Sequence, residues 1–171
     1  LGPVYTAGND PEGVDALVGI IDLDSNMLQG ATIQIKVGLT DGDVLAFISP
    51  SDSSISGTYV EATGTLTLSG TASIAQYRQA LRSVTFAAEG GVPNATRTIS
   101  FTVTDTQGGT SAEATAAVSV QENNAPILTP LSLVGTYSNL LLGLQIIPVP
   151  LIVDTSSYLQ SASVTITNPS S

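Results

Sequence analysis

Between Thr32 and Val37 apolar and polar residues alternate strictly. Ile33, Ile35 and Val37 fall on one side of an extended chain, and Thr32, Gln34 and Lys36 on the other. Side chains of a strand point alternately to its two faces, so this period of two predicts a half-buried β-strand. The pattern returns at Leu66 and Leu68, at Ile99, Phe101 and Val103, and at Val118 and Val120. Clusters of Gly, Asp, Asn and Ser separate the runs: Thr40-Asp41-Gly42-Asp43, Ser56-Gly57 and Gln107-Gly108-Gly109. These residues favour turns, and Asp41-Gly42-Asp43 carries the Asp-Gly signal of a hairpin. Short strands spaced about ten residues apart predict an all-β sandwich or barrel.

One stretch follows a different period. From Ser73 to Val84 the apolar positions are Ile74, Tyr77, Leu81 and Val84, spaced as on one face of a helix. Ser73 followed three residues later by Gln76 forms a capping box. The expected short helix buries Tyr77, Leu81 and Val84. It leaves Arg78 and Arg82 on a solvated face, with Arg82 near the C-terminal end, where a cation is favoured.

Gln121-Glu122-Asn123-Asn124-Ala125-Pro126 reads as a linker, because polar residues and a proline end the strand that precedes it. Beyond it the chain starts again. Leu28-Gln29-Gly30-Ala31-Thr32-Ile33-Gln34-Ile35 is echoed by Leu159-Gln160-Ser161-Ala162-Ser163-Val164-Thr165-Ile166, a displacement of 131 residues. Val18-Gly19-Ile20 falls on Val149-Pro150-Leu151 at the same displacement, and Tyr5 matches Tyr137 after a one-residue gap. Matches in one order indicate an internal repeat. Residues 1–123 are then a nearly whole repeat, and residues 124–171 are the linker and first strands of a second, incomplete one. So short a segment buries too little surface to fold unaided. Either the protein continues past Ser171, or residues 125–171 complete a sheet in a neighbouring copy by strand addition.

The block Tyr59-Val60-Glu61-Ala62-Thr63-Gly64-Thr65-Leu66-Thr67-Leu68-Ser69-Gly70-Thr71-Ala72, with the helix ending Ala80-Leu81-Arg82-Ser83-Val84, resembles the cadherin-like tandem repeats of very large microbial surface proteins. Thr98-Ile99-Ser100-Phe101-Thr102-Val103-Thr104-Asp105 and the Asn124-Ala125-Pro126 joint share the likeness. The resemblance implies a cadherin- or immunoglobulin-like β-sandwich with one short helix. It also implies a stalk or adhesive role rather than catalysis, and Ca²⁺ held by acidic residues at domain ends and linkers.

Composition narrows the function further. Charged residues make up 11% of the chain against roughly 25% in an average soluble protein, and hydrophobic ones 42%. Four basic residues face fourteen carboxylates, for a formal charge of −10. A chain so acidic, without a basic cluster, repels phosphate backbones and anionic headgroups, so neither nucleic acid nor membrane insertion is expected. The most apolar run, Leu140–Val153, is too short for a span and is broken by Gly143, Pro148 and Pro150, so it is read as buried strand material. With no Cys, disulfides and thiolate metal sites are excluded.

The richest oxygen cluster is Asp22-Leu23-Asp24-Ser25-Asn26. Alternating oxygen side chains on a turn converge on a hard cation such as Ca²⁺, and Asp105, Glu122 and Asn124 are further candidate ligands. The competing account is that Asp and Asn simply favour turns and keep strand edges soluble. In the second repeat, Val153-Asp154-Thr155-Ser156-Ser157 keeps one carboxylate at the matching place. Asn94-Ala95-Thr96 is an N-glycosylation sequon in a Gly- and Pro-flanked loop, and the Ser- and Thr-rich faces could carry O-linked sugars. For catalysis the chain has no His to activate a Ser or Thr nucleophile, and Lys36 lies mid-strand. No enzyme is expected. The expectation is an extracellular structural module of a surface filament made from neighbouring copies, or else a calcium-stiffened stalk or ligand-binding module of an adhesin.

Overall fold

The computed structural model describes residues 2–88, 95–129, 151–153 and 160–163, so Asn94 and most of the apolar run Leu140–Val153 lie outside the described residues. The chain divides into two compact units, Leu1–Asn123 and Asn124–Ser171.

In the first unit the strands are β1 (Val4–Thr6), β2 (Glu12–Gly13), β3 (Met27–Val37), β4 (Asp43–Ala46), β5 (Ser56–Val60) and β6 (Thr65–Ser73). Helix α1 (Ile74–Arg82) follows, then β7 (Thr85–Ala88), β8 (Ala95–Asp105) and β9 (Ala114–Gln121). One sheet has the order β1-β9-β8-β3-β6-β5 and the other β2-β7-β4. Neighbours are antiparallel except β1 and β9, which run parallel. Ile33, Leu68, Ile99 and Val118 from the large sheet share one buried cluster with Leu45 and Phe86 from the small one. The fold is therefore all-β and sandwich-like, with the core between the sheets.

The alternation seen in the sequence is the alternation of burial: Leu66, Leu68, Ile99, Phe101, Val118 and Val120 all point inward. Val37 does not. It is 60% exposed, because the register of β3 on β8 slips between Ile35 and Val37. An extra residue at such a bulge turns the following side chain to the opposite face. Ser56-Gly57 is not a separator but the start of β5. A Cβ on Gly57 would stand 2.3 Å from Phe47 Cε1, so this glycine marks close packing rather than a turn.

Helix α1 begins as its capping box requires. The Gln76 amide donates to Ser73 Oγ (3.3 Å) and the Ser73 amide to Gln76 Oε1 (3.0 Å). Tyr77 and Leu81 are buried beneath it, with Val84 just beyond its end. Arg78 and Arg82 correct the expectation of a merely solvated face. Arg82 Nε donates to the Val18 carbonyl (2.9 Å) and Arg78 Nη2 to the Ile20 carbonyl (3.3 Å).

The Asp41-Gly42-Asp43 segment is a turn, closed by the Asp43 amide on the Thr40 carbonyl (3.1 Å). It is not a hairpin: it carries the chain from β3 in the large sheet to β4 in the small one. Asp43 enters the core and meets Arg97 from β8, Nε to Oδ2 at 2.8 Å, with both side chains fully buried. Thr40 completes the arrangement. Its amide donates to Asp43 Oδ2 (2.9 Å), and its hydroxyl accepts from Arg97 Nη2 (2.8 Å). Tyr59 donates its hydroxyl to the Asp43 carbonyl (2.6 Å); burial, then the negative charges of Asp43 and Glu61, push its phenol up to about 12. Lys36 pairs with Glu113 at 3.3 Å on the exposed side of the sheet, a contact of small energetic weight.

In the second unit β10 (Ile127–Thr129) pairs antiparallel with β11 (Leu151–Val153). Residues 160–163 are exposed and outside any strand, whereas their counterparts Gln29–Thr32 lie within β3.

Candidate metal centre

Asp22 and Asp24 precede β3, and Asp105 ends β8. The two strands are antiparallel with Leu28 opposite Asp105, so the start of one and the finish of the other meet at one end of the sheet. There a carboxylate oxygen from each of Asp22, Asp24 and Asp105 lies within 4.8 Å of the others. Asp22 and Asp105 are half-buried and Asp24 is exposed.

Local hydrogen bonds aim these groups. Asp22 Oδ1 accepts the amides of Asp24 (3.3 Å) and Ser25 (3.4 Å). Asp105 Oδ1 accepts those of Gln107 (2.7 Å) and Gly109 (2.9 Å), and the Asp105 amide answers on the Gly109 carbonyl (2.9 Å). Gly108 turns with φ +93°, and a Cβ on Gly109 would lie 2.6 Å from Asp105 Oδ2. Both glycines of this turn are required for the carboxylate to sit where it does.

The carboxylates strain against one another electrostatically. A proton shared from Asp24 to Asp22 holds Asp22 below the ordinary aspartate range, helped by the Asp24 and Ser25 amides. The same proton, then the negative charges of Asp22 and Asp105, push Asp24 up. The raised Asp24 favours the fold below the ordinary aspartate range, and that contribution vanishes as pH rises through its folded pKa. The lowered Asp22 favours the fold above that range, and its contribution is lost as pH falls through its folded pKa. Solvent screens both, so the stability at stake is small. Asp22→Asn will bring the Asp24 carboxyl back toward ordinary values in a carboxyl-carbon NMR titration. An unmoved Asp24 titration would show that the pair does not share a proton.

A divalent cation could take the place of that proton. Three carboxylates give a hard ion at least three of the six to eight oxygens Ca²⁺ uses, with main-chain carbonyls and water for the rest. Of the six residues singled out in the sequence, Asp22, Asp24 and Asp105 come together. Asn26 is exposed one residue before β3, with its main-chain carbonyl taken by the Ile74 amide (3.2 Å). Glu122 follows the end of β9 and is not one of the clustered carboxylates, while Asn124 belongs to the second unit. Glu122 and Asn124 are candidates as oxygen-bearing residues of the linker. The clustered ones follow from strand pairing, which brings residues some eighty positions apart in the chain to one place.

Compared with protein-family models, curated proteins and solved structures, the chain matches none. Among the described residues no helix is long and apolar enough to cross a membrane.

Proposed function

We propose that this chain is a non-enzymatic structural module of an extracellular filament or stalk, made of β-sandwich repeats joined end to end. The observation that carries this reading is the division into two compact units at Asn123–Asn124, with the second echoing the order of the first. A unit that ends in a short polar joint and then begins anew is built for serial repetition. The acidic, lysine-poor, Ser- and Thr-rich surface suits an external location and sugar decoration, with Asn94 as the N-linked candidate. Electron microscopy of the native material with and without a chelator tests this. Filaments of fixed axial repeat that survive chelation are expected; dispersed single particles under both conditions would overturn it.

The carboxylate cluster favours a second reading, in which Ca²⁺ at Asp22, Asp24 and Asp105 stiffens the end of each module. An ion bound only by the folded state raises its stability by mass action. Millimolar Ca²⁺ will then raise the melting temperature, and Asp22→Asn with Asp24→Asn will abolish the rise while leaving the ion-free melting temperature nearly unchanged. A rise of the same size in the double variant would place the ion elsewhere.

A further inference from the structure

We draw no further inference here: the strongest candidate, the row of Thr58, Thr67, Thr32 and Thr102 side by side on β5, β6, β3 and β8 across the outer face of the large sheet, is an open sheet face, and nothing in the structure shows what covers it.

Discussion

Replacing Arg97 by alanine will destabilise the first unit by about 3–5 kcal/mol, the usual consequence of removing one partner of a buried ion pair. The guanidinium makes the 2.8 Å contact with Asp43, and neither side chain reaches solvent. Its loss strands a carboxylate in the core with only the Thr40 amide for company. The mirror change, Asp43→Ala, strands the guanidinium and leaves the Thr40 amide without its acceptor, so it is expected to cost a similar amount. A double replacement, Asp43→Leu with Arg97→Met, removes both charges and will recover part of the loss; recovery stays incomplete because Thr40 keeps two unanswered polar groups. Urea denaturation followed by tyrosine fluorescence measures all three. An Arg97→Ala midpoint equal to that of the wild type would mean that the pair does not hold the two sheets together.

Phe86→Ala will cost about 3–5 kcal/mol, through lost burial and the cavity left behind. Phe86 lies on the middle strand of the small sheet, fully buried, and meets the Tyr5 ring edge-on at 5.4 Å. Tyr5 in turn donates its hydroxyl to the Ala88 carbonyl (3.1 Å), so truncating Phe86 loosens β1 as well as the core. Ile48→Ala is the control: that side chain is 73% exposed and its removal should change stability by less than about 0.5 kcal/mol. Equal effects at positions 48 and 86 would contradict the placement of the core.

What could be read from the sequence was whatever depends on neighbours along the chain. The alternation at Ile33 and Ile35, the capping box at Ser73 and Gln76 and the inward stripe of Tyr77, Leu81 and Val84 are local patterns, and they match the structure. Val37 escaped because a bulge is a property of two strands together. Asp43 looked like a turn residue because its partner stands 54 positions away. Arg78 and Arg82 looked solvated because nothing near them in the sequence points to the carbonyls of residues 18 and 20. The carboxylate cluster was half legible: Asp22 and Asp24 announce themselves as a pair, but only the register of β3 on β8 separates Asp105 from Glu122 and Asn124 as their companion.

The parallel pairing of β1 with β9 has a mechanical consequence. Val4, Tyr5 and Thr6 lie beside Ser119, Val120 and Gln121, and the Ser119 and Ala7 amides extend the ladder to the Pro3 and Gln121 carbonyls. The chain enters the unit at the start of β1 and leaves it at the end of β9, so the two points of attachment lie at opposite ends of the same ladder. Tension between them pulls the strands past each other along their length. Every rung then carries load at once instead of opening one after another, and the first event on stretching is the shearing of this whole ladder.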